Sequence, residues 1–180
     1  MNDSDLTDEE VCKLLLNPFQ RLGWTEDGKK KINREKLFNT LKIDEGVVYE
    51  IYLDPLGYPT FGVGHLITDR DPEHGEDIGT SVSAERVWDA FNHDIDICLS
   101  ECKMLYGDAT FDQFPCEVQQ ILANMMFNMG RARLSKFRRM NKHIANGDWK
   151  LAAMEGRDSL WYEQVTNRAE RLMSRLEKVV

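Results

Sequence analysis

The sequence lacks three features that would each assign it to a special class. Its amino terminus, MNDSDLTDEE, is acidic and has neither the basic start nor the apolar stretch of a secretory signal. No run of residues is long and apolar enough to span a bilayer. Cysteine is scarce, with four residues and no Cys-x-x-Cys pair, which argues against a disulfide scaffold. We therefore expect a soluble globular protein that is made in a cytoplasm and does not insert into a membrane.

Positive charge is in deficit. The chain has 23 Lys and Arg against 31 Asp and Glu, which gives a net charge of −8 at pH 7. Binding to nucleic acid requires a basic surface, so we expect no nucleic-acid partner. Within this acidic chain one segment is locally basic, and it contains Arg131, Arg133, Lys136, Arg138, Arg139 and Lys142.

Residues that could bind a metal ion are also sparse. Cys98 and Cys102 are four positions apart on a predicted helix and could supply half of a metal site, but no nearby histidine completes it. We interpret them as small buried hydrophobic residues. His74 stands among carboxylates in TDRDPEHGEDIG, residues 68–79, which is typical of a solvated surface loop. We expect neither a metal ion nor an organic cofactor.

What is present predicts an α+β fold that is mostly α. A capping box at Thr7-Asp8-Glu9-Glu10 indicates a short helix within an extension that covers residues 1–33. We predict that residues 34–180 form the main domain. Its predicted parts are a small lobe with a β-hairpin or sheet, a long connecting helix and a helical lobe, which cover residues 34–82, 83–106 and 107–180.

The small lobe is predicted from a change in sequence period. A helix from Arg34 is stopped by Gly46, and the next residues suit a strand, a turn at Asp54-Pro55-Leu56-Gly57 and a returning strand. Pro59 in the returning strand is expected at an edge or a bulge, because it cannot donate to a sheet ladder. In the helical lobe, Gly130 is predicted to end a helix and Thr166 to cap the last one.

Two acidic residues of the small lobe are predicted to have different surroundings. Glu45 ends its helix, where the negative end of the helix dipole disfavours a negative charge, so it suits a proton donor. Asp54 lies in the turn near solvent, so it suits a carboxylate that stays charged. Hydrolysis of a glycosidic bond needs such a pair. The pair alone is weak evidence in a chain with 31 acidic residues.

A longer pattern points the same way. The segment LKIDEGVVYEIYLDPLGYPTFGVGHLIT, residues 41–68, contains Asp-Glu-Gly, then a hairpin with Asp and Gly-Tyr, then Thr-x-Gly-x-Gly-His. In order and spacing it resembles the amino-terminal lobe of the phage T4-type lysozyme family. Three further stretches match later family segments in the same chain order: AFNHDID, ILANMMFNMG and SLWYEQVTNRAERL. The resemblance covers roughly residues 35–172.

The resemblance implies a muramidase that cleaves the β-1,4 bond between N-acetylmuramic acid and N-acetylglucosamine in peptidoglycan. It implies Glu45 as the general acid, Asp54 as the second carboxylate and Thr60 as the hydroxyl that helps to place the attacking water. Family members invert the anomeric centre, so the two carboxyl groups are expected roughly 6.5–9.5 Å apart rather than about 5 Å. No cofactor is implied.

Other residues receive supporting roles from the same resemblance. Arg168 matches an arginine that reaches back toward the general acid and orients it. Asn128, Leu66 and Phe127 are expected to bind or orient the substrate, although Asn128 shortens the family's glutamine.

His65 and Asp94 match a structural ion pair. Histidine titrates near neutral pH, which would also suit a catalytic role. We favour the structural role, in which protonated His65 stabilises the fold at acidic to neutral pH.

The resemblance also implies a biological setting. We expect a monomeric, bacteriolytic phage endolysin that stays in the host cytoplasm until a separate pore releases it to the wall, where it lyses the host. The alternative is a structural or wall-binding module of a phage particle that keeps the fold with little activity, attached through residues 1–33. The net charge of −8 suits an anionic wall poorly. Either the local basic segment or a high working ionic strength would compensate for it.

Overall fold

The structure, a computed structural model, describes residues 32–180. The predicted extension lies almost entirely outside the described residues, and its short helix lies wholly outside them. Within residues 32–180 the chain is mostly α-helical with one small antiparallel sheet, so the predicted α+β class is confirmed. The elements are α1 (Arg34–Glu45), β1 (Val48–Leu53), β2 (Pro59–Gly62), β3 (His65–Leu66), α2 (Ala84–Tyr106), α3 (Asp108–Gln113), α4 (Cys116–Leu134), α5 (Arg138–Ala145), α6 (Trp149–Arg157), α7 (Leu160–Gln164) and α8 (Thr166–Glu177).

The chain divides into two compact units, and the division falls within α2. The first unit ends at Asp94 and the second begins at Ile95. The described part of the first unit contains α1, the sheet and the start of α2. The second contains the rest of α2 and all the later helices. No helix within residues 32–180 is both long enough and apolar enough to cross a membrane.

Helix α1 has a defined cap at each end. At its start the side chain of Asn33 accepts a hydrogen bond from the backbone N–H of Lys36. At its end Gly46 adopts φ 81°, and its N–H donates to the carbonyl of Lys42, a conformation that favours glycine. The inner face of α1 packs through Leu37, Phe38 and Leu41, which are buried. These caps place Glu45 at the last helical position.

The sheet has the strand order β1-β2-β3, and all pairs are antiparallel. Strand β3 pairs with β2 and was not predicted from the sequence. The prediction for Pro59 was wrong, because it opens the central strand β2. As the first residue of that strand it can lack an N–H without interrupting the ladder. Tyr52 of β1 and Leu66 of β3 lie opposite Thr60 on either side.

In the second unit, α4 runs through the core, and the side chains of Ile121, Leu122 and Met125 are fully buried. Gly130 interrupts its helical geometry with φ 70° and ψ 166°, and helical turns then resume to Leu134. Element α4 therefore consists of two helical segments joined at a kink, and the first segment ends at Gly130, as the sequence predicted.

The cap of the last helix was predicted wrongly. The residue at the N-cap of α8 is Val165, and Thr166 is the first helical residue. The hydroxyl of Thr166 donates to the carbonyl of Glu163 and so does not cap the helix. Helix α8 instead gains its stability from its buried face, which consists of Arg168, Ala169, Leu172, Met173 and Leu176.

Candidate active site

Asp54 begins the hairpin turn and uses its two carboxylate oxygens differently. Oδ1 accepts hydrogen bonds from the backbone N–H groups of Leu56 and Tyr58, each at 2.8 Å. The backbone of Asp54 is fixed as well, since its N–H donates to the carbonyl of Tyr58 at 2.9 Å. Oδ2 has no hydrogen-bond partner within residues 32–180. The turn therefore holds the carboxylate in one orientation and leaves one oxygen available.

Thr60 lies in the central strand, six positions after Asp54 in the chain. Its side chain is 3 % exposed, and its hydroxyl donates to the carbonyl of Tyr58 at 3.0 Å. Because the hydroxyl hydrogen is committed to that bond, the Thr60 oxygen can only accept from a further partner. A water molecule bonded to it would donate one hydrogen and keep its own lone pairs for attack.

Glu45 is exposed at the carboxyl end of α1. Tyr52 reports on both acids: burial raises the pKa of its hydroxyl, and the negative charges of Asp54 and then of Glu45 raise it further. The electrostatic influence of both carboxylates therefore reaches one phenol group of β1. Both acids lie within the first unit, Glu45 at the end of α1 and Asp54 at the turn after β1.

His65 lies between two carboxylates. Its Nδ1 is 2.9 Å from Oδ2 of Asp94, and its Nε2 is 3.1 Å from Oδ1 of Asp71. Burial acts to lower the pKa of His65, but the hydrogen bonds and charges of Asp94 and Asp71 outweigh it and raise the pKa above the usual 6.5. With an acceptor at each ring nitrogen, this arrangement stabilises the imidazolium form.

Asp71 extends the histidine contact into a network that the sequence did not predict. It accepts from the backbone N–H and hydroxyl of Thr68 and from Arg86, whose guanidinium also forms a bidentate pair with Glu73. Burial acts to raise the pKa of Asp71, yet hydrogen bonds from Thr68 and the contact with His65 lower it to about 2. Arg86 also lies 5.1 Å from the centre of the Phe61 ring. The network connects the acidic loop, residues 68–79, to His65 of β3 and to Arg86 of α2.

The substrate-binding residues implied by the resemblance lie in both units. Leu66 is 48 % exposed on β3, and Phe127 is half-buried on α4. The side-chain oxygen of Asn128 accepts from the indole N–H of Trp161 at 2.9 Å. Trp161 therefore fixes the orientation of the Asn128 amide and takes up one of the two lone pairs of its oxygen, a contact that the sequence did not predict.

Arg168 is 6 % exposed within the second unit. Its Nε donates to the side-chain oxygen of Asn124 at 2.9 Å and its Nη2 to the backbone carbonyl of Asn124 at 3.1 Å. These bonds tie α8 to α4. Within residues 32–180, no three His, Cys, Asp or Glu side chains form a group that could hold a metal ion.

Comparison with known proteins places this arrangement in a family. The phage lysozyme family profile matches residues 42–178, which include Glu45, Asp54, Thr60 and Arg168. The chain belongs to the phage lysozyme family. A probable T4-type lysozyme of Dictyostelium discoideum is 31% identical over 159 residues, covering 78% of this chain and 93% of that protein. A second one from the same organism is 30% identical over 160 residues, covering 76% and 91%.

A relative of another kind is the pre-baseplate central spike protein Gp5 of Enterobacteria phage T4. It is 31% identical over 148 residues, which cover 73% of this chain. The match spans only 26% of Gp5 itself. This chain is thus similar both to proteins named as probable lysozymes and to one part of a larger spike protein.

The Tyr52 phenol provides a test of the charges around this candidate site. We expect Asp54→Asn and Glu45→Gln each to lower the pKa of Tyr52, with the larger drop for Asp54→Asn, because each removes a negative charge that opposes ionisation. Ultraviolet absorbance titration measures the phenolate, and Tyr52→Phe identifies the transition by removing it. An unchanged Tyr52 transition in both variants would mean that neither acid acts on β1.

The His65 network predicts a pH-dependent stability. Because the folded-state pKa of His65 is raised, its contribution is complete below the unfolded value of about 6.5 and is lost as pH rises through the folded pKa. We expect the difference in unfolding free energy between wild type and His65→Gln to shrink from pH 5.5 to pH 8.5, as measured by urea denaturation. His74→Gln, at an exposed position, is the matched control. A constant difference across this range would contradict the prediction.

Proposed function

We propose that the chain is a lysozyme that hydrolyses the β-1,4 bond between N-acetylmuramic acid and N-acetylglucosamine in peptidoglycan, with inversion at the anomeric carbon. The observation that carries this proposal is the Asp54 carboxylate, which is fixed through Oδ1 and has no hydrogen bond at Oδ2 from the part of the chain that the structure describes. A carboxylate in this state is ready to accept a proton without first rearranging. Membership of the phage lysozyme family supports the same reaction.

In the proposed mechanism Glu45 donates its proton to the glycosidic oxygen as the bond from that oxygen to the anomeric carbon breaks. Water attacks the anomeric carbon from the opposite face and transfers a proton to Oδ2 of Asp54. Thr60 accepts a hydrogen bond from this water and so limits its orientation. Arg168 is proposed to orient the acid, and Leu66, Phe127 and the amide nitrogen of Asn128 to contact the sugar. No metal ion or cofactor takes part.

The test is product analysis on purified bacterial walls. We expect new reducing ends to appear on N-acetylmuramic acid, so that borohydride reduction yields muramitol and no additional glucosaminitol. Proton NMR recorded during the first turnovers should show the α anomer before mutarotation. Reducing ends on glucosamine would contradict the proposed bond, and an initial β anomer would contradict inversion.

The match to a part of Gp5 favours a second candidate. In this alternative the domain belongs to a phage particle, with residues 1–33 as its attachment, and it binds the wall with little hydrolysis. A pull-down on insoluble walls, run beside the reducing-end assay, separates the two. Binding without new reducing ends would support the particle module. Hydrolysis by the free protein supports the lysozyme, which as an endolysin would act after release from the host cytoplasm through a separate pore.

A further inference from the structure

The antiparallel sheet presents two different faces, because side chains alternate along each strand. One face carries the buried side chains of Ile51 and Phe61, which are 1 % and 0 % exposed. The opposite face carries Thr60 at its centre, with Tyr52 and Leu66 paired to it from the neighbouring strands. We call this second face the threonine face. It carries the hydroxyl that the proposed mechanism assigns to the attacking water.

Tyr58 continues the threonine face toward the tip of the hairpin. It lies two positions before Thr60, so alternation places it on the same face, about 7 Å from Thr60 along the chain. The hairpin pairing extends this far, since the N–H of Asp54 donates to the carbonyl of Tyr58 at 2.9 Å. Asp54 likewise lies two positions beyond Tyr52. The hairpin part of this face therefore consists of two rows, Tyr52 with Thr60 and Asp54 with Tyr58.

The side chain of Tyr58 is not needed to build the turn. Its backbone N–H donates to Oδ1 of Asp54 at 2.8 Å, and its carbonyl accepts from the N–H of Asp54 and from the hydroxyl of Thr60. The side chain itself is 55 % exposed. Within residues 32–180 its hydroxyl has no hydrogen-bond partner and its ring has no aromatic contact. The ring is therefore available to a ligand that binds beside Asp54.

The charges near this face narrow the chemistry of such a ligand. Burial raises the pKa of Tyr52, and the negative charges of Asp54 and then of Glu45 raise it further, so both carboxylates act on the threonine face. An anionic polymer would meet repulsion there, whereas a neutral sugar would not. One surface of a pyranose ring consists of C–H groups, and a tyrosine ring offers a flat apolar surface with a polar tip. The face therefore suits a neutral sugar better than a phosphate polymer or an acidic peptide.

We infer that the ring of Tyr58 packs against the N-acetylglucosamine next to the N-acetylmuramic acid that water attacks, and that Tyr58 is thereby a specificity-determining residue. This inference rests on the proposed function, because that function supplies the glycan strand. In an alternating strand, both neighbours of an internal muramic acid are glucosamines. With the attacked sugar at Asp54 and Thr60, the offset of Tyr58 toward the tip places its ring beside one of these neutral neighbours. The contact holds the strand and does not touch the reacting bond.

The hairpin offers a matched control for the test. Leu53 is 54 % exposed, nearly the same as Tyr58, but it pairs with Pro59 on the opposite face. The variants are Tyr58→Ala, Tyr58→Phe and Leu53→Ala, each made in a Glu45→Gln background so that the ligand is not cleaved. The probe is the peptide-free tetrasaccharide of alternating N-acetylglucosamine and N-acetylmuramic acid. Calorimetry measures its binding.

We expect Tyr58→Ala to bind the tetrasaccharide about tenfold more weakly than the Glu45→Gln parent, because one aromatic contact is lost. Tyr58→Phe keeps the ring and should bind within about twofold of the parent. Leu53→Ala should bind like the parent. In proteins that retain Glu45, Tyr58→Ala should raise KM for bacterial walls about tenfold and leave kcat nearly unchanged, because the contact stabilises substrate and transition state alike.

Four results would overturn the inference: no binding of the tetrasaccharide to the parent, unchanged binding in Tyr58→Ala, equal weakening in Tyr58→Ala and Leu53→Ala, or a Tyr58→Phe variant as weak as Tyr58→Ala. The last result would assign the effect to the hydroxyl instead of the ring. Failure of the proposed function has a different signature, in which the tetrasaccharide binds through Tyr58 but the protein with Glu45 releases no reducing ends from walls. Hydrolysis with a wild-type KM in Tyr58→Ala would overturn only the role of Tyr58.

Discussion

Replacement of Glu45 by glutamine is expected to slow the clearing of a bacterial wall suspension by about 10²–10⁴-fold. Glutamine has nearly the shape of glutamate but cannot deliver a proton to the leaving oxygen. The fold should be little affected, because Glu45 is exposed and the helix end is set by Gly46. Turbidity measured across salt concentrations separates this chemical loss from weaker attraction to the wall, which depends on salt.

Glu50→Gln is the matched control for this experiment. It makes the same change of charge at an exposed position in β1 of the same unit. We expect it to clear walls at the wild-type rate, and both variants to show the urea unfolding curve of the wild type. Clearing by Glu45→Gln at the wild-type rate would remove Glu45 from the mechanism.

Arg168→Ala is expected to lower the free energy of unfolding by about 2–4 kcal/mol. The substitution removes both hydrogen bonds to Asn124, which is fully buried on α4, and so leaves its side-chain and backbone oxygens without these donors. It also opens a cavity beneath α8. For a protein of this size the loss corresponds to a fall in Tm of roughly 5–15 °C, measurable by calorimetry.

Arg168→Lys separates the charge of this residue from its geometry. Lysine keeps the positive charge but cannot reproduce the planar pair of donors, so we expect a stability between those of wild type and Arg168→Ala. If Arg168 also orients the general acid, both variants will lose kcat at a temperature where they remain folded. A wild-type Tm in Arg168→Ala would show that the bonds to Asn124 contribute nothing to stability.

The sequence predicted best where the signals are local. Gly46 ends α1 because a glycine with positive φ follows the helix, and the turn at Asp54 forms from residues next to one another. One error came from competition between nearby residues, because Val165 rather than Thr166 caps α8. Packing of the flanking segments against the core decides such cases, and no short pattern records it.

Parts of the site could not be predicted because they join residues that are distant in the sequence. Arg86 pairs with Asp71 and Glu73 of the acidic loop. The indole of Trp161 donates to the side-chain oxygen of Asn128, which lies 33 positions earlier in the chain. The resemblance did pair His65 with Asp94, which lie 2.9 Å apart. It gave no sign of the second carboxylate at Asp71. A useful signal would have been the number of acids in the loop that follows His65.

The two oxygens of the Asp54 carboxylate have different surroundings, and this affects which residue a related domain can carry at the same position. One oxygen accepts the hydrogen bonds that form the turn, and in the proposed mechanism the other accepts a proton. The turn by itself therefore favours Asp or Asn at this position. A related domain that has lost catalysis and serves only as a structural part of a virion would still need Asp or Asn at this position to form the turn. Asparagine at this position would therefore mark a domain that still forms the turn but has no carboxylate to accept a proton.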